Sequence, residues 1–160
     1  MDTELRELYQ QVILDHHKHP RNHGGLKRCH RRADGYNPLC GDRIHVELAL
    51  DGDGVGDRVE DVGFAGEGCA ICTASASMMT ECLKGKTTEE AVRLCKRFHD
   101  LVMGGAPAGK AENMGKLEVF SGVREFPMRV KCATLPWHTL QAALRDDNES
   151  ENEAHAVSTK

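Results

Sequence analysis

The sequence predicts an α+β domain in which helices pack against a small antiparallel β-sheet of about three strands. Two observations carry this expectation. Apart from one N-terminal helical stripe, strand-like patterns fall before residue 66 and helical patterns after it, and no internal repeat is present. At 160 residues the chain is also close to the length of one domain, on a prior of roughly 100–200 residues.

The elements follow in order. Leu5, Leu8, Tyr9, Val12 and Ile13 recur at helical spacing and predict a helix from Thr3 to Lys18, stopped by Pro20. His19 to Gly25 is turn-rich, and the polar stretch Lys27 to Asn37 offers a possible strand. From Arg43 to Leu50 the alternation of Ile44, Val46, Leu48 and Leu50 marks a half-buried strand. Asp51 to Gly56 is a turn, and Arg58 to Ala65 is the returning strand, broken by Gly66 and Gly68. Small helix-tolerant residues then predict a close-packing helix from Ala70 to Lys84, ended by Gly85. Thr87 with Glu90 forms a capping box ahead of the stripe Ala91, Leu94, Cys95, Phe98, Leu101 and Val102, which ends near Gly104. Gly105 to Gly115 reads as an exposed loop and Lys116 to Arg129 as short ambiguous pieces. A last helix is expected from Pro136 through Leu140 and Leu144. The domain would therefore span residues 1–145, with an acidic, disordered tail over 146–160.

Charge sharpens that division. The net charge of −4 is carried entirely by the segment from Asp146 to Lys160, so residues 1–145 are neutral and no nucleic-acid surface is expected. The N-terminus lacks the basic start and apolar run of a secretory signal. No stretch approaches the roughly 18–20 apolar residues of a membrane span. A cytoplasmic protein with reduced thiols is the expectation. The seven cysteines fit it, because an odd number cannot form a complete intramolecular disulfide framework.

Three cysteines lie at element boundaries. Cys40 sits in Asn37-Pro38-Leu39-Cys40-Gly41-Asp42 ahead of a strand, Cys69 follows Gly66-Glu67-Gly68 and opens a helix, and Cys132 follows Val130-Lys131. Thiolates near helix N-termini are stabilised by the dipole and the unpaired amides there. Asp42, two residues from Cys40, can point to the same side of an extended segment. Three thiolates and a carboxylate make a donor set that zinc accepts tetrahedrally. Spacing alone is equally compatible with buried thiols and a turn-forming Asp.

Cys69-Ala70-Ile71-Cys72 is a C-x-x-C at a helix start, but neither a βαβ frame nor a second C-x-x-C accompanies it. Cys72 is read as a packing residue, as are Cys29, Cys82 and Cys95. His16 is read as a capping or packing histidine, and Met78 and Met79 as core.

These motifs together resemble the SufU branch of the IscU/NifU-like iron–sulfur assembly proteins. The resemblance runs from Leu8-Tyr9 and Ile13-Leu14-Asp15-His16 through Pro20-Arg21-Asn22 and the three cysteine motifs. It continues over Ala74-Ser75-Ala76-Ser77-Met78-Met79-Thr80, Phe126-Pro127 and Arg129 to Lys131-Cys132-Ala133-Thr134-Leu135 and Trp137. The segment from about Gly105 to Val123, and Lys131 where IscU-type scaffolds carry histidine, favour the SufU branch. A lysine ammonium has no lone pair with which to replace that histidine at a metal. Cys72 departs from the serine common in this family.

The resemblance implies that Cys40, Asp42, Cys69 and Cys132 bind one Zn2+ per chain. It implies a sulfurtransferase that takes persulfide sulfur from a SufS-type cysteine desulfurase and passes it towards downstream iron–sulfur scaffold proteins. Cys40 matches the acceptor, freed when a desulfurase residue takes its zinc position. Arg129 and Lys131 are outer-shell candidates, Arg129 towards Asp42 or the persulfide. The alternative is an IscU-like scaffold holding an iron–sulfur cluster on Cys40, Cys69 and Cys132.

Overall fold

The computed structural model describes residues 3–27, 29–38, 41–51, 58–103, 115–145 and 156–158. Helix α1 spans Thr3–Lys18, and the strands β1 (Arg31–Asn37), β2 (Asp42–Asp51) and β3 (Arg58–Glu67) follow. Helices α2 (Ala70–Leu83) and α3 (Thr88–Met103), a 3₁₀ helix over Gly115–Glu125, and helix α4 (Pro127–Leu144) complete the main body. Strands β1, β2 and β3 form an antiparallel sheet with β2 at the centre, Asn37 facing Asp42 and Arg43 facing Glu67. The α+β architecture expected from the sequence is therefore present.

Alternation decides which sheet face is covered. Ala33, Ile44, Val46, Leu48, Val62 and Phe64 are buried beneath the helices, while Arg32, Asp34, Tyr36 and Arg43 point outward to solvent. Gly35 lets α4 approach closely, since a Cβ there would collide with the Thr139 hydroxyl. Helix α2 has few large side chains and is buried on nearly every side, as its small residues allow. Helix α3 buries one stripe, in which Phe98 stacks on Trp137 at 4.5 Å. Its capping box is formed: the Glu90 amide donates to the Thr87 hydroxyl at 3.1 Å and the Thr87 amide to the Glu90 carboxylate at 2.9 Å. Met78, Met79, Cys72 and Cys95 are core residues, as expected. No helix among the described residues is long and apolar enough to cross a membrane.

The N-terminal helix is fastened by polar contacts. Buried His16 meets the Ser77 hydroxyl through Nδ1 at 2.7 Å, the Arg21 amide donates to the same hydroxyl at 2.9 Å, and the Asn22 side chain donates to Thr80 at 2.9 Å. Arg21 also pairs with Asp15 at 2.8 Å. His16 is thus a packing histidine, tied to α2.

Several boundaries differ from the sequence reading. The first strand begins at Arg31 rather than Lys27, and Leu8 on the α1 stripe is exposed. The ambiguous stretch 116–129 resolves into the 3₁₀ helix and the start of α4. The last helix begins at Pro127, nine residues before Pro136. Both prolines fit an N1 position locally, and Pro127 occupies it. Pro136 lies inside the helix, where extensive burial outweighs its poor propensity. Cys132 is therefore on α4, in its second turn, rather than ahead of the final helix.

Residues 156–158, within the segment expected to be disordered, form a short strand β4 parallel to Asp34–Tyr36 of β1. The sheet thereby has four strands in the order β3-β2-β1-β4. An outer strand presents unpaired amides and carbonyls, and β4 covers a three-residue stretch of that edge. The rest of 146–160, the expected turn at 52–57 and the expected loop at 104–114 lie outside the described residues.

Candidate metal centre

Three elements converge at one end of the sheet. Asp42 opens β2, Cys69 caps the N-terminus of α2, and Cys132 projects from α4. Their ligand atoms all lie within 4.8 Å of one another. Asp42 is only 2% exposed and Cys132 5%, whereas Cys69 is open to solvent. The group is therefore walled by protein on two sides and reached from the third.

Backbone geometry fixes Cys69. Its amide donates to Asp42 Oδ1 at 3.1 Å, and the Cys72 amide donates to Cys69 Sγ at 3.4 Å, the bond of an N-cap side chain. Two glycines make room. Gly66 adopts φ +137, and a Cβ on it would collide with the Arg43 carbonyl. A Cβ on Gly68 would press on Cys72 Sγ at 3.0 Å and stand 3.4 Å from Asp42 Oδ1.

The surroundings of Cys69 make it acidic. Its pKa falls to about 7, chiefly because the Cys132 thiol hydrogen-bonds to it. Burial opposes the fall, the Cys72 amide adds to it, and the negative charge of Asp42, whose Oδ2 is 3.9 Å from Cys69 Sγ, works against it.

The donor set suits a borderline-soft divalent ion. Tetrahedral zinc with bonds of about 2.0–2.3 Å places its ligands about 3.5 Å apart, so atoms already within 4.8 Å need only small shifts. Asp42, Cys69 and Cys132 would supply three ligands. Cys40 lies outside the described residues, but two covalent steps keep its Cα within about 7 Å of that of Asp42.

The other sequence candidates fall as follows. Arg129 is exposed, with its guanidinium 4.6 Å above the Phe126 ring, and Lys131 is half-buried on α4. Cys72 is fully buried and contributes its amide, while its sulfur is not among the grouped donors. Burial alone pushes the Cys95 thiol up to about 12, consistent with packing. One supporting contact was not foreseen. Ser75 donates to the Ala133 carbonyl at 2.6 Å and accepts from Trp137 Nε1 at 3.0 Å, pinning α2 to α4 beside Cys132.

Residues 8–133 match the NifU-like N-terminal domain family. The chain belongs to that family. It is 47% identical over 143 residues to the zinc-dependent sulfurtransferase SufU of Bacillus subtilis strain 168, covering 89% of this chain and 93% of that protein. It is 41% identical over 143 residues to the iron–sulfur cluster assembly scaffold protein IscU of Streptococcus pyogenes serotype M1, covering 89% and 86%. Among solved structures it superimposes with a TM-score of 0.76, at 37% identity, on a protein from Fervidobacterium islandicum AW-1 described as an iron–sulfur cluster assembly scaffold for the SUF system. That match covers 87% of this chain and 98% of the other. Members of this NifU-like family with both names thus match most of the chain's length.

Proposed function

We propose that this protein is a zinc-dependent sulfurtransferase that accepts persulfide sulfur from a cysteine desulfurase and delivers it to iron–sulfur cluster assembly. The convergence of Asp42, Cys69 and Cys132 carries the reading. Bound there, zinc would hold thiols ionised and contribute no redox chemistry of its own. Asp42, Cys69 and Cys132 would hold it together with Cys40.

Cys40 is the proposed acceptor. Its thiolate attacks the terminal sulfur of the partner's persulfide, forming a new S–S bond at Cys40 Sγ. The partner's S–S bond breaks and its electron pair leaves with the desulfurase cysteine, so sulfur moves without net oxidation or reduction. Cys69 and Asp42 hold the floor of the site through the 3.1 Å amide contact, and open access at Cys69 leaves room for a docked partner. Arg129 and Lys131 would add positive charge near the anionic persulfide. A reducing cytoplasm and onward delivery to scaffold proteins complete the reading.

The scaffold alternative has support in the relatives named IscU. Lys131 weighs against it, because an ammonium offers no lone pair to iron. Metal content separates the two: the transferase purifies colourless with one zinc, the scaffold brown with iron and acid-labile sulfide. The deciding assay measures alanine and sulfide production by the cognate desulfurase. Stimulation by the intact protein and its loss in Cys40→Ala is the expected result; no stimulation and no persulfide on the intact protein would refute the transferase reading.

A further inference from the structure

The turn Cys69-Ala70-Ile71-Cys72 holds a second sulfur that the metal centre does not use. Cys69 is the N-cap of α2 and is open to solvent, whereas Cys72, in the first turn of the helix, is fully buried. Neither is in a disulfide. The separation of their Cα atoms depends only on the dihedrals of Ala70 and Ile71, and both residues are helical. Helical rise and radius then put the two Cα atoms about 5 Å apart, inside the window of roughly 4.4–6.8 Å that a disulfide spans.

Side-chain direction agrees. The extended ψ of 175° at Cys69 turns its sulfur over the end of the helix, where it accepts the Cys72 amide at 3.4 Å. Helical side chains lean towards the N-terminus, and Cys72 does so: a Cβ on Gly68, the residue before Cys69, would stand 3.0 Å from Cys72 Sγ. Both sulfurs therefore lie at the same end of one turn, the first accessible to an oxidant and the second sheltered beside it, as in an attacking and resolving pair. Cys132 also lies beside Cys69, but it is one of the grouped metal donors and belongs to another helix. The Cys72 sulfur is outside that group, and the turn that carries it is already closed, so bond formation needs only side-chain rotation.

We propose that Cys69 and Cys72 form a reversible disulfide under peroxide, which withdraws Cys69 from the metal centre. The Cys69 thiolate attacks one peroxide oxygen, the O–O bond breaks, and hydroxide leaves with the electron pair, giving a sulfenic acid on Cys69. The Cys72 thiol then attacks that sulfur, the S–S bond forms, and the hydroxyl leaves as water with the thiol proton. The thiol pair is oxidised and the peroxide reduced. A dithiol reductant reverses the bond by exchange. The disulfide needs only the C-x-x-C turn, and its effect on the metal rests on the zinc reading above.

The test treats the full-length, zinc-loaded protein with hydrogen peroxide and blocks remaining thiols with N-ethylmaleimide in denaturant. Disulfides are then reduced and labelled with iodoacetamide, both labels are mapped by mass spectrometry, and a chromogenic chelator follows zinc. Iodoacetamide label should rise in step on Cys69 and Cys72, with zinc released in parallel and regained after dithiothreitol and added zinc. In Cys72→Ser, and in Cys72→Ala, which buries no hydroxyl, Cys69 should go on to the sulfinic acid, and the zinc regained should be at least about threefold lower than in the parent. Label joining Cys69 to Cys132 or Cys40 while Cys72 stays blocked, sulfinic acid on Cys69 of the parent with no disulfide, or equal recovery in the Cys72 variants would each overturn the proposal. A chain that binds no zinc yet still joins Cys69 to Cys72 would support the disulfide and refute the zinc reading.

Discussion

Ser75→Ala tests whether the contact between α2 and α4 holds the metal centre together. Ser75 is fully buried and serves two partners, the Trp137 indole and the Ala133 carbonyl. Removing its hydroxyl leaves the indole N–H, on a side chain only 3% exposed, without its acceptor. An unsatisfied buried donor costs about 1–3 kcal/mol. The Ala133 carbonyl keeps its place in the α4 ladder, so losing its 2.6 Å bond adds only about 0.5–1.5 kcal/mol. Alanine's higher helix propensity offsets about 0.5 kcal/mol. The net destabilisation should be about 2–3 kcal/mol, and with a urea slope of about 2 kcal/mol/M the midpoint should fall by about 1–1.5 M. Urea titration of the metal-free protein, followed by Trp137 fluorescence, measures it directly; metal is omitted because binding to the folded state adds its own stability. Chelator competition on the same variant should show weaker zinc binding, because Cys69 and Cys132 ride on the two helices this serine joins. A midpoint shift below about 0.3 M would refute the proposed pin.

Gly66→Ala should destabilise the protein by about 3 kcal/mol, since it combines φ +137 with a collision against the Arg43 carbonyl; thermal unfolding reads this out, and a Tm within a degree of the parent would contradict it. Cys72→Ser should keep zinc stoichiometry, because the bond to Cys69 comes from the Cys72 amide; loss of the metal would make the Cys72 sulfur a ligand. His45 gives a pH prediction. Burial disfavours its charge, but hydrogen bonds to Glu47 at 2.8 Å and Asp34 at 2.7 Å prevail and raise its pKa. The stabilisation is then fully present below the unfolded value of about 6.5 and is lost as pH rises through the higher folded value. The stability difference between the parent and His45→Gln should therefore shrink from pH 6 to pH 9, and a constant difference would refute it.

The sequence by itself determined the local events. Hydrophobic alternation set β2, because a period of two on a pleated strand leaves one face to bury, and the turn-rich Asp51 to Gly56 announced β3 as its returning partner. The Thr87–Glu90 box set the start of α3, and small residues from Ala74 to Ser77 announced a close-packing helix. The cysteine motifs and Asp42 gave the donor chemistry, though only the resemblance selected those residues from the other thiols. Tertiary structure decided what local propensity leaves open. Two prolines satisfied the same local rule, and only the tertiary burial of Cys132 to Trp137, which carries the helix through Pro136, let it start at Pro127 and placed Cys132 on that helix. The approach of Asp42, Cys69 and Cys132 to within 4.8 Å joins residues far apart in the chain, as does the Ser75–Trp137 pin.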